Sequence, residues 1–142
     1  MFKLDQRLEQ DTVWLADLPL CRVLLMNDSR YPWLVLVPRV AGTDEVFELD
    51  ASQQHQLWDE SRLVARIMRR VFSANKMNIA TLGNVVRQFH MHVVARFEDD
   101  ESWPEPVWGR GDSRPYTETE LAEAREKVME VLQKTGLEFQ PA

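Results

Sequence analysis

"NIATLGNVVRQFHMHVVARF", residues 78–97, carries two of the chain's three histidines with a single residue between them. From Gln88 to Val94 it reads Q-F-H-M-H-V-V, rich in β-favouring residues and free of Gly and Pro, which predicts an extended strand. Side chains alternate across a strand. Phe89, Met91 and Val93 are therefore expected on a core face, and Gln88, His90 and His92 in a polar row on the other, about 7 Å from one to the next. A lone strand histidine is usually half-exposed and without a duty. Two on one face, beside an amide and in a chain so poor in histidine, point to chemistry instead.

Upstream, "KMNIATLGN" (76–84) predicts a strand ending near Gly83, paired with the histidine strand as a hairpin. An earlier hairpin is predicted from "CRVLLMND" (21–28) and "WLVLVPR" (33–39), joined by the turn-forming "DSRYP". Between the hairpins, Leu57, Trp58, Leu63, Val64, Ile67, Met68 and Val71 recur at helical spacing within residues 52–72, with Ser52 as the expected cap and His55 a solvated side chain in the first turn. Past Phe97, "EDDESWPEPVWGRGDSRP" holds three prolines, two glycines and two tryptophans and predicts an irregular loop. "YTETELAEAREKVMEVLQKTG" then predicts an amphipathic helix, capped by Thr117 or Thr119 and stopped by Gly136.

This order implies a single α+β domain over residues 1–142, with an antiparallel sheet, one long central helix and a C-terminal helix at about 117–135. A net charge of −6 and a pI near 5.1 argue against nonspecific nucleic-acid binding, which needs a basic field, but not against a nucleotide held by a few local donors. The single cysteine, Cys21, lies in apolar surroundings and is expected to be buried filler. The charged N-terminus lacks the apolar core of a signal peptide, and no apolar run reaches the length of a membrane span, so a soluble, cytoplasmic protein is expected.

"QFHMHVVAR" resembles the signature of the histidine-triad (HIT) family, His-φ-His-φ-His-φ-φ with φ apolar, Gln88 standing in the first histidine position. "NDSRYPWLVLVPR" resembles the family's earlier hairpin and "NIATLGN" the strand before its signature, so the resemblance spans about residues 12–97. It implies a HIT-like fold, usually a homodimer, that binds a purine nucleotide or nucleotide conjugate. The implied activity is hydrolysis or transfer at the α-phosphate, of a diadenosine polyphosphate or a nucleoside phosphoramidate, with no cofactor.

By the same resemblance His90 is the nucleophile. The physical case agrees: a neutral imidazole is nucleophilic near pH 7 without a separate base, and His92 on the same face could donate to phosphate oxygens. Gln88, an amide that cannot titrate, would help orient His90. Asn27 matches the position that holds the ribose hydroxyls, and Asn78 a polar residue near the phosphates. Asn84 stands where the family often has Gln, and Val85, replacing the usual Ser or Thr, offers only its backbone N–H. The family's further histidine after the hairpin proline is Trp33 here. Trp103 or Trp108 of the long loop could stack on a base or cover the phosphates.

Two other readings stay open. A noncatalytic nucleotide-binding sensor of the same fold would use the same residues without turnover. The His-x-His pair also resembles the cupin metal motif, although Gly83 and Glu98 each lie one residue too far from the histidines to match its spacing.

Overall fold

The computed structural model describes all of residues 1–142. Its elements in chain order are α1 (Gln6–Asp11), β1 (Thr12–Asp17), β2 (Cys21–Met26), β3 (Trp33–Pro38), α2 (Ala51–Val71), β4 (Lys76–Ala80), β5 (Met91–Arg96), α3 (Glu118–Lys134) and β6 (Gln140–Pro141). The six strands form one sheet in the order β4-β5-β3-β2-β1-β6, every pairing antiparallel. The expected α+β class, both hairpins and both long helices are therefore present.

Each face of the sheet has its own apolar layer. Val23, Leu25, Leu34, Leu36, Met91, Val93 and Ala95 pack against Leu57, Val64 and Met68 of α2 and Val128, Val131 and Leu132 of α3. The opposite face collects Leu24, Trp33, Val35, Val37 and Val94 under Leu8 of α1 and Val107 of the loop before α3. Burial on both faces explains why β3 and β5 are buried along their whole length. The row of polar residues on the other face of the histidine strand is itself buried: His90 and His92 are each 4% exposed and Arg96 only 1%. The cover comes from the N-terminal segment and the 98–116 loop, neither of which is adjacent to that strand's middle in sequence.

Two boundaries differ from expectation. The α2 cap is Asp50, whose carboxylate accepts from the Gln53 N–H while the Gln53 side chain accepts from the Asp50 N–H, a reciprocal box that leaves Ser52 inside the first turn. The histidine strand begins at Met91 rather than Gln88. At α3 the Thr117 hydroxyl accepts from the Glu120 N–H, and Gly136 follows the helix at φ +75°, where a Cβ would be strained. Cys21 is fully buried, and burial together with the nearby Glu60 carboxylate pushes its thiol well up, away from the reactive thiolate. No helix is long and apolar enough to cross a membrane.

Candidate active site

The alternation of β5 places His92, Val94 and Arg96 on the face under the 98–116 loop, and His90 enters the same face just before the strand. The two imidazole rings stand 5.0 Å apart, nearly perpendicular. His90 Nδ1 lies 2.7 Å from the Gln88 backbone carbonyl. A carbonyl only accepts, so Nδ1 carries the proton and Nε2 is left with the free lone pair. His92 is the reverse. Its Nδ1 accepts from the Trp33 indole N–H at 2.9 Å, which assigns its proton to Nε2. Burial, and secondarily the neighbouring His90, push the His92 pKa down to about 3, so it is a neutral N–H donor throughout the neutral range.

Gln88 does not join this row with its side chain. Its Oε1 accepts from the Asp5 N–H at 2.8 Å and its Nε2 donates to the Lys3 carbonyl at 2.9 Å, so the amide clasps the N-terminal segment. Strand geometry has not yet begun at Gln88, which frees its side chain to turn toward residues 3–5. What reaches His90 is the Gln88 main chain.

Trp108 of the long loop closes over His92. Its ring is 5.1 Å from that of His92 and 5.9 Å from that of Trp33, both edge-on, and its buried indole N–H has no acceptor within the protein. Trp103 instead sits 5.7 Å over the Arg96 guanidinium. Arg96 anchors this end of the loop: it forks onto Asp100 at 2.8 and 3.0 Å, and donates to the Glu105 carbonyl and to Asn78 Oδ1. The other end is held by Asp28, buried against the Arg30 guanidinium at 2.8 Å and accepting from the Arg114 N–H, while Arg30 donates to the Arg110 carbonyl. Asn27 Oδ1 accepts from the Tyr116 N–H.

Two clefts lie near the histidines, the first separated from His92 by Trp33 and Trp108 and the second lined by His90 itself. One, of about 410 Å³, is lined by Gln10, Asp11, Asn27, Trp33, Trp108 and Arg110 among others. The second, of about 550 Å³, is lined by His90 with Asp44, Glu45, Asn84, Arg87 and Phe89. Asn27 and Asn84 therefore border different clefts, while Asn78 is committed to Arg96 and Trp103 lines neither. Val85 is exposed in a hollow beside α1 that shares Gln10 and Asp11 with the first cleft. Sequence reasoning named Trp103 and Trp108 alike without telling which meets His92, and missed the contribution of Gln10 and Asp11 and the bond from Trp33 to His92. Alternation along β3 puts Trp33 on a definite face, but nothing local says which residue it meets. No group of three or more His, Cys, Asp or Glu side chains is arranged to hold a metal ion.

A model of the HIT domain family matches residues 7–99. The chain is similar to the solved structure of a histidine triad protein from Marinobacter aquaeolei VT8, with 44% identity, a TM-score of 0.92 and coverage of 95% of this chain and 98% of that one. It is similar also to a histidine triad (HIT) protein from Sinorhizobium meliloti 1021, at 48% identity and TM-score 0.89, over 92% of this chain and 96% of the other. A histidine triad protein from Bradyrhizobium japonicum gives 40% identity and TM-score 0.88, over 91% and 96% respectively. No curated protein matches the chain.

Proposed function

Because the chain belongs to the HIT domain family, we propose that it is a nucleotide-binding hydrolase or transferase that acts at the α-phosphate of a nucleotide conjugate through a covalent intermediate on His90. The observation that carries this reading is the opposed protonation of the two rings. His90 has a free Nε2 lone pair, held so by the Gln88 carbonyl, next to His92 with a free Nε2–H. One is a nucleophile and the other a donor.

In the first step His90 Nε2 attacks phosphorus in line, the N–P bond forms, and the bond to the leaving group breaks with its electron pair. In the second, water attacks phosphorus and the N–P bond breaks, returning His90. His92 donates from Nε2 to a nonbridging oxygen as charge builds on it, and as a buried neutral donor it needs no reorganisation to do so. Gln88 serves through its carbonyl. Asn27 and the first cleft offer polar groups and two indoles to a nucleoside, and Asn84 with the second cleft borders the leaving-group side. The test is mass spectrometry of the intact protein after incubation with a panel of dinucleoside polyphosphates and nucleoside phosphoramidates: a nucleotidyl adduct mapped to His90 is expected. Nucleotide binding without any adduct or turnover would favour the noncatalytic sensor.

The loop supplies a second check. Trp108 lines the first cleft and contacts the His92 ring, whereas Trp103 packs on Arg96. Trp108→Ala is expected to weaken affinity for a purine nucleoside monophosphate about tenfold, and Trp103→Ala less than about twofold. Titration calorimetry on both folded variants measures this, and unchanged affinity for Trp108→Ala reduces the loop to packing.

We place the active form as a homodimer. β4 is an edge strand, with one side of its backbone unpaired, and it carries exposed Ile79; Leu82 just beyond it and Trp58 on α2 are exposed too. A charge in this edge, Ile79→Lys, is expected to convert a dimer to a monomer by analytical ultracentrifugation. A monomeric unsubstituted protein at micromolar concentration would refute this assembly.

A further inference from the structure

We propose that Trp33 is a positioning residue that holds the His92 imidazole in its Nε2–H tautomer, and so keeps that donor available to the reacting group. The inference rests on the donor role assigned to His92 above.

The arrangement follows from register. Val35 lies directly opposite His92 across the β3–β5 ladder and Trp33 opposite Val94, so Trp33 is the diagonal neighbour of His92 on the same face. The indole is long enough to reach back along that diagonal, and its N–H meets His92 Nδ1 at 2.9 Å in a site where Trp33 is 7% and His92 4% exposed. An indole has one donor and no acceptor. Moving the His92 proton to Nδ1 would therefore set N–H against N–H at a buried site, which costs the desolvation of both groups. The geometry permits one tautomer.

The indole is itself confined, edge-on to Tyr31 at 6.4 Å and to Trp108 at 5.9 Å. The groups facing His92 are His90 from its own chain segment, Trp33 and Val35 from β3, Ala80 from β4 and Trp108 from the loop, so His90 is the one titratable group among them. Trp33 does not titrate, and the lock it imposes does not depend on its own protonation as an imidazole's would. The consequence is a division of labour. The Gln88 carbonyl decides the tautomer of His90 and Trp33 decides that of His92, in opposite senses.

The test is side-chain nitrogen NMR of ¹⁵N-histidine-labelled protein, run beside steady-state kinetics. In the unsubstituted protein His92 is expected to give the Nε2–H tautomer alone. Trp33→Phe keeps a buried ring and removes the N–H: His92 is then expected to populate both tautomers, and kcat to fall about 10- to 100-fold while KM changes less than about threefold. Trp33→His, which can donate from the same position, is expected to restore the single tautomer and part of the rate. An Nδ1–H signal for His92 in the unsubstituted protein overturns the proposal whether or not any variant folds. So does a Trp33→Phe protein whose His92 keeps the single tautomer, whatever its rate. The NMR arm needs no substrate, so a protein that fails to turn over nucleotides would sink the proposed function and leave the lock judged on its own.

Discussion

Replacing His90 with glycine is expected to abolish turnover of nucleotide conjugates, by about 10⁴-fold or more, together with the covalent adduct. The nucleophile supplies a route that no neighbour can take over, because His92 has its Nδ1 lone pair committed to Trp33 and a proton on Nε2. The fold is expected to survive. His90 precedes β5 rather than lying within it, and its ring borders a cleft, so truncation enlarges a space already open on one side. Since the side chain is 4% exposed, a stability cost of about 1–3 kcal/mol is expected from denaturant unfolding. Free imidazole, entering the space left by the missing ring, is expected to restore measurable turnover in His90→Gly. A variant that keeps the original rate would show that another group attacks phosphorus.

The largest stability effect is expected on the far side of the loop. Arg96→Leu takes the guanidinium away from Asn78 Oδ1, from the Glu105 carbonyl and from the Asp100 carboxylate, which keeps only the Phe97, Ser102 and Trp103 N–H groups, in a site where Arg96 is 1% exposed. Removing one partner of a buried ion pair costs about 3–5 kcal/mol, which for a chain of this size lowers Tm by roughly 10–15 °C. Burial alone would raise the Asp100 pKa, but the hydrogen bonds and charge of Arg96, with the Phe97 and Trp103 N–H groups, outweigh it and hold the carboxyl below its usual range. A carboxyl depressed in the folded state stabilises fully above its unfolded value, about 4, and loses that contribution as pH falls through the lower folded value. The loop is thus expected to loosen only in acid, and Asp100→Asn to flatten that acid dependence. Thermal unfolding over a pH series measures both. An Arg96→Leu protein within about 1 kcal/mol of the original would mean that water replaces the guanidinium there.

Much of the framework was legible because it is local. Apolar runs at residues 21–26 and 33–38 bounded by turn-forming residues, a period of 3.6 across 51–71, and the Thr117 and Gly136 signals each bias a short segment toward one conformation. The His-x-His spacing likewise puts both rings on one side of the chain wherever the strand begins. Residues 1–20 were less readable: α1 is six residues long, and β1 carries a bulge between Trp14 and Ala16 that breaks the alternation a strand would show.

By itself, then, the sequence determined the two hairpins and two long helices, the pairing of the histidines and the family signature around them. Only the tertiary structure decided what each ring does. The amide of Gln88 meets residues 3 and 5, the indole of Trp33 meets His92, and Asn27 meets Tyr116. Those partners are brought together by the stacking of strands and the closing of a loop over them. Periodicity states which residues share a face; it carries no information about what covers that face, and it is the cover that buries His92, removes water from its ring and leaves its proton one place to sit.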